Sequence, residues 1–323
     1  MLKMIVPALF LLVLAACGGG NGASDQNGDG SANSGSATTS KRLSGTLYFN
    51  SAEPLEAPQV MSMDLRRLSP VVAADGVYPS TWGRDLAYLS QCGPLSIKLS
   101  VVDVDGFTSD VSECYDLDVI TPDVYAPAIS PDGKYVSITN TALLAPKEPG
   151  DTYGLLRKTY GATLVFDRDG KKVAEFKGLG NGTWTRDNRL VMSGLNAETG
   201  WGIYKAKRNL KSVERIDDGR LNGPIWGMDA HPRRDRVAFI FNSALWEMDM
   251  GSGAPKRLHN HGYPLAAAAY SPGGDQIAFI STDTMEEGHQ MPGGGYPIFI
   301  YDDGDIETIM VNFIVSGPLD WTD

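Results

Sequence analysis

The chain has 323 residues, with 28 Lys+Arg against 39 Asp+Glu for a formal net charge of −11, and 42% of its residues are hydrophobic. That hydrophobic share excludes a disordered chain. The acidic balance excludes a nucleic-acid surface, whose affinity comes mainly from Lys and Arg releasing counterions. Cysteine numbers only 3, too few for a disulfide scaffold, and the length fits either two domains or one large all-β unit.

The N-terminus reads as an export signal. Lys3 supplies a positive start, and Met4 to Val13 form an apolar run. The run is too short to span a bilayer as a helix, which takes about 20 residues, and it fits the apolar region of a cleaved signal peptide. It leads into LAACG at 14–18. This resembles the lipobox of bacterial lipoproteins, with Leu14 at −3, small residues at −2 and −1, and Cys17 at +1. The resemblance implies that residues 1–16 are removed and that Cys17 is acylated and becomes the mature N-terminus. Several acyl chains together anchor stably, at about 0.8 kcal/mol per buried CH₂. Gly18 rather than Asp at +2 implies sorting to the outer membrane, facing the periplasm.

From Gly18 to Lys41 the chain is rich in Gly, Ser, Asn and Thr, with no aliphatic side chain larger than Ala. Such a segment cannot offset its own ordering entropy. It reads as a flexible linker over 17–43, with an rms span of about 27 Å. The NGDG at 27–30 lacks the later ligands of a calcium loop and belongs to the linker.

Beyond residue 44 the sequence repeats. AISPDGKYVSI (128–138) is matched without a gap by AYSPGGDQIAF (269–279), and with one extra residue by DAHPRRDRVAF (229–239). Weaker copies are TWTRDNRLVM (183–192) and STWGRDLAY (80–88). The copies recur about every 40–54 residues, a period of propeller blades. Each copy is a tight turn between runs of Val, Ile, Phe and Tyr that favour strands, and in the two clearest copies Pro with Asp-Gly or Gly-Gly presets the reversal. Further hairpins follow, such as LSVVDVDGF (99–107) and TLVFDRDGK (163–171). Two hairpins per repeat make a four-stranded blade.

The 128–138 copy resembles the WD40-like (PD40) repeat of TolB-type β-propellers, and the resemblance covers five copies. A sixth blade requires that GPLDWTD (317–323), which resembles the start of a repeat, joins SGTLYFN (44–50), which resembles its continuation. The expected fold is therefore all-β, a six-bladed propeller over 44–323, closed by pairing its two terminal strands. That pairing hides edges that would otherwise invite aggregation.

The resemblance also places candidate sites. It puts the loops between second and third strands on one face, together with the blade-to-blade connections. The long inserts 140–160 and 282–296 fall there, and loops on a rigid scaffold are where binding concentrates. His259 and His261 lie in the predicted connection from blade five to blade six, and Glu286 and His289 in the blade-six insert. Imidazole and carboxylate can ligate zinc or manganese. The grouping invites comparison with oligogalacturonate lyase, a propeller enzyme with a histidine-bound metal, but with no dense H-x-x-x-H pattern the favoured reading is solvated polar loop residues. DVDG (103–106), DRDG (167–170) and DDG (302–304) read as hairpin tips. Trp82, Trp184, Trp226 and Trp321 read as recurring at one repeat position, and so as packing between blades rather than as a sugar-stacking set. Cys92 and Cys114 remain for a disulfide, which an exported compartment favours.

No nucleophile elbow or phosphate-cradling loop is present, and no cofactor is expected. The reading is a lipid-anchored envelope protein whose propeller is a non-catalytic scaffold for another envelope protein. The alternative is a carbohydrate-binding or carbohydrate-lyase propeller with a metal site at the loop face.

Overall fold

The computed structural model describes residues 43–323 except 52–58, 83–84, 94–95, 104, 106, 113, 117–126, 141–161, 197–198, 262–263, 282–296 and 310–314. The signal and linker expectations, the two long inserts beyond Asn140, Glu286 and His289 all lie outside the described residues.

Six antiparallel sheets form a six-bladed β-propeller, with no helix among the described residues. Blade one joins Val315–Thr322 to Thr46–Ser51, Gln59–Asp64 and Ser69–Ala74. Blade two runs Val77–Trp82, Asp85–Gly93, Ser96–Val102 and Thr108–Asp110, with the short Tyr115–Asp116 also on its third strand. Blade three runs Ala128–Ile129, Tyr135–Asn140, Ala162–Asp167 and Lys172–Lys177. Blade four runs Leu179–Trp184, Leu190–Asn196, Gly200–Ala206 and Val213–Arg215. Blade five runs Ile225–Ala230, Arg236–Phe241, Ala244–Asp249 and Pro255–Asn260. Blade six runs Leu265–Tyr270, Ile277–Ser281, Ile298–Asp302 and Asp305–Ile309.

The ring closes where the sequence places it. Trp321 pairs with Leu47 and Asp320 with Tyr48. Val315, Leu319 and Trp321 bury their side chains with Leu47, Phe49 and Met63 of blade one and with Ala267, Ala269 and Ile280 of blade six. The indole N–H of Trp321 donates to the Ser44 carbonyl at 3.0 Å, which satisfies the one polar atom of a buried ring.

The middle strands carry the core because both their faces meet neighbouring blades. In Arg236–Phe241 every residue after Arg236 is buried, and Ile277–Ser281 is buried throughout. The outermost strands are mostly exposed, as in Ser69–Ala74 and Lys172–Lys177. The Asp-Gly sequences form hairpin tips as read. Asp103 Oδ1 accepts the N–H groups of Asp105 and Phe107, both at 2.9 Å, and Asp167 Oδ1 accepts those of Asp169 and Lys171. These are Asx turns, local and structural.

The register corrects the reading of the tryptophans as one repeat position. Trp184 and Trp321 are equivalent, paired with Leu190 and Leu47. In blade two it is Thr81, paired with Leu86, that holds the place, and Trp82 pairs one step further on with Asp85. In blade five Ala230 holds it, paired with Val237, and Trp226 lies nearer the other end of the strand. The shorter turn of blade two shifts its tryptophan out of register. Cys92 and Cys114 come together in blade two with their Cα atoms 6.2 Å apart, inside the range a disulfide spans.

Deleting 316–323 removes the closing strand with Leu319 and Trp321, and leaves the edge of Thr46–Ser51 bare. Each large apolar side chain contributes about 1.5–3 kcal/mol by burial, against a total stability of about 5–15 kcal/mol. The truncated protein should lose its cooperative thermal transition by circular dichroism; a sharp melt near that of the full chain would contradict closure by this strand.

Candidate functional site: one mouth of the central channel

Antiparallel order sorts the turns of each blade onto two faces. Turns from first to second strand share one face with turns from third to fourth. Loops from second to third strand share the other face with the blade connections. On the first of these faces the channel opens into a cavity of about 550 Å³. Its walls are the last residues of the innermost strands and the turns that follow, including Pro79, Pro131, Pro232 and Pro272 with Trp184 and Trp321. This mouth is opposite to the face at which Tyr135–Asn140 and Ile277–Ser281 end.

The inner ring is built from one repeated position. Asp320, Ser80, Ala128, Thr183, Asp229 and Ala269 each precede the residue that pairs with the first residue of the next strand's core. At Thr183, Asp229 and Asp320 the side chain reaches the following blade. Thr183 Oγ1 accepts the Ala230 N–H at 3.1 Å and donates to Asp229 Oδ1 at 3.4 Å. Asp229 Oδ2 accepts the Tyr270 N–H at 2.8 Å. Asp320 accepts the Thr81 N–H. These bonds satisfy main-chain donors at strand ends, where the ladder within a blade runs out.

Two carboxylates in such a place titrate abnormally. Burial, then the nearby negative charge of Asp320, pushes Asp229 up to about 7. Burial likewise raises Asp320 to about 6, against the lowering effect of bonds from Thr81, Trp321 and Ser80. Neither is ion-paired to a Lys, Arg or His among the described residues.

Around the rim the charge is positive on one side. The Pro232-Arg233-Arg234 turn folds over His231, whose Nδ1 accepts the N–H groups of Arg233 and Arg234 at 3.0 and 3.1 Å. The ring is only 3% exposed. It lies with its centroid 4.9 Å from that of Tyr270 and against Gly274, whose φ of +77° and missing Cβ let the blade-six turn close on it. Burial first, then the positive charge of Arg234, lowers the His231 pKa, opposed by Glu247. Tyr270 donates its hydroxyl to Glu247 at 2.9 Å, and Glu247 holds Arg236 at 3.0 Å. From the preceding blade Arg186 reaches over and donates to the Arg233 carbonyl at 2.6 Å.

The histidines read as possible ligands sit elsewhere. His259 is on the outermost strand of blade five, and His261 follows that strand. Their ring nitrogens are 3.4 Å apart, and both rings pack on Phe279, with His261 also edge-on to Phe299. Burial lowers the pKa of each, and His259 lowers that of His261 further. Among the described residues no group of three or more His, Cys, Asp or Glu is placed to hold a metal. The mouth residues were not singled out from sequence. Their signal was available, since Asp229 and Asp320 stand at one repeat position, but the sequence does not say that this position faces a cavity.

The chain matches no protein-family model. Its fold is similar to solved propellers. TolB from Acinetobacter baumannii matches with a TM-score of 0.64 at 16% identity, over 87% of this chain and 67% of that one. A putative TolB from Agrobacterium tumefaciens matches at 0.55 and 16%, over 84% and 90%. A chain of a nidogen/laminin complex matches at 0.56 and 10%, over 86% and 98%.

Two outcomes are expected of this site. Raised carboxylate pKa values mean that the folded state holds protons which the unfolded chain has released, so stability falls as pH rises from about 4 to about 7. Asp229→Asn and Asp320→Asn should flatten that part of a melting-temperature profile, and raise stability relative to wild type at pH 8. An unchanged slope in both variants would contradict the burial of these groups. Gly274→Ala should cost about 1–3 kcal/mol in urea unfolding, from the positive φ and the collision with His231.

Proposed function

We propose that this TolB-like propeller is a non-catalytic interaction scaffold of the bacterial cell envelope, held at the membrane by lipid on Cys17 and binding a partner protein at the mouth of its central channel. The observation that carries the reading is the cavity of about 550 Å³ at the end of the innermost strands. A concave site with apolar walls and a few fixed polar groups is where a rigid scaffold takes a ligand. The mouth has prolines and aromatics for walls and main-chain donors already satisfied by Thr183, Asp229 and Asp320. That makes it a preformed docking site rather than a reaction centre.

The envelope address rests on the lipobox-like LAACG and the linker after it. A bond between Cys92 and Cys114, which their separation permits, belongs to the same reading, because exported proteins retain disulfides. Non-reducing mass spectrometry of the exported protein should show the two thiols missing.

Two experiments test the whole. An alkyne fatty acid fed to cells should label the wild-type protein and not Cys17→Ser; no label on wild type would remove the anchor. Photo-cross-linking side chains placed at positions 131 and 272, at the mouth, should capture an envelope protein. The same probe at 222 and 243, on the opposite face, should not. Capture from 222 or 243 alone would overturn the assignment of the mouth.

A further inference from the structure

Resting on that reading, we infer that Arg186 and Arg233 at the cavity rim, backed by the charge of the adjoining Arg234, are a clamp for carboxylate groups, and that the segment docking in the mouth is an acidic peptide. On a protein of net charge −11, three exposed arginines on adjoining turns are a local reversal of sign. Among the described residues none of the three is in an ion pair.

The acids of the neighbouring turns are engaged elsewhere. Asp132 is paired with Lys134 at 3.2 Å and Asp235 with Lys205 at 3.3 Å. Asp187 accepts the Thr185 hydroxyl at 2.5 Å. Among the described residues no carboxylate is paired with the rim arginines, and their field reaches inward: Arg234 and Arg233 both act to lower the pKa of His231 beneath them.

The clamp is preorganised at its base. His231 Nδ1 takes the two N–H groups of the Arg233-Arg234 turn. The Arg186 guanidinium is tied to the Arg233 carbonyl, so one blade's arginine is tethered to the next blade's turn. Guanidinium groups bind carboxylates through two parallel hydrogen bonds, which adds geometry to charge. The position of the acidic group is bounded from below and from across. Asp229 and Asp320 line the cavity and repel an anion from the deeper channel. Asp323 lines it on blade one, opposite Arg186 of blade four. An acidic side chain or chain end is thereby held at the rim of blades four and five, with its apolar neighbours free to meet the proline and tryptophan walls. A flat anionic bilayer shares the charge but not the shape, because this cavity is concave.

The test uses a positional-scanning library of acetylated, amidated hexapeptides, presented to the full propeller and to its Arg186→Gln/Arg233→Gln variant. All three arginines are exposed, so the variant should melt with wild type. Wild type should enrich Asp or Glu at one or more positions. The variant should bind the enriched peptides about tenfold more weakly, and higher salt should weaken wild-type binding. Absence of an acidic preference, or equal binding by the variant, overturns the clamp. So does binding of phosphatidylglycerol vesicles with the same arginine dependence. Enrichment of apolar or basic residues alone sinks the clamp while leaving a peptide-binding mouth intact. Cross-links confined to the opposite face instead defeat the scaffold reading itself.

Discussion

Everything in this protein depends on one pairing between residues far apart in sequence: Val315–Thr322 beside Thr46–Ser51. A propeller ring has no sheet that continues from blade to blade, so it is held by side chains between blades and by whatever joins its two ends. Here the join is a full strand with Val315, Leu319 and Trp321 buried in it. It also completes the inner ring. Asp320 comes to stand before Thr81 of blade two, as Asp229 stands before Tyr270. Without closure there is no sixth wall and no channel mouth.

The inner ring is crowded, and its chemistry follows from that. Gly227 lies so near Ala267 that an added Cβ would come within 2.6 Å of the Ala267 Cα, which explains the small residues on the innermost strands of blades five and six. Main-chain N–H groups at the ends of these strands have no partner within their own blade. Short polar side chains from the preceding blade supply one, as Thr183 and Asp229 do. At Ala128 the bond between blades runs the other way: the Trp184 indole N–H from the following blade donates to the Ala128 carbonyl at 3.0 Å. Carboxylates meet the same need more strongly but at a desolvation cost, which appears in the raised pKa values of Asp229 and Asp320. Above this ring the blade-five turn departs from its relatives. Where blades three and six carry Asp132-Gly133 and Gly273-Gly274, it carries Arg233 and Arg234, folded on a buried histidine.

Much of the fold was legible because the repeat is written in turn residues. Pro131-Asp132-Gly133 and Pro272-Gly273-Gly274 mark the same reversal in two blades, and the strands flank it at fixed offsets. Closure was legible too, since the incomplete repeats at the two ends complement each other. The tryptophans were less so. Trp82 and Trp226 look equivalent to Trp184 in a linear alignment, but turn length and strand bulges decide register, and a shift of one residue turns a side chain to the other side of the sheet. The site was the least legible part. His259 and His261 are conspicuous in the sequence for their chemistry, yet their rings are packed against Phe279, and Phe299 covers one of them.

The order of strands, the number of blades and the means of closure are consequences of local turn chemistry and of alternating apolar runs, and such signals lie within a few residues of each other in the chain. The meaning of Thr183, Asp229, Asp320, Arg186 and Arg233 is of another kind. These residues are spread from 183 to 320, and each is an ordinary polar residue beside a turn. Only when six innermost strands converge on one axis do they share a cavity, with the two aspartates losing solvent while the arginines stay exposed at its rim. Desolvation and Coulomb interaction depend on distance in space, which the closed ring sets and the linear chain does not.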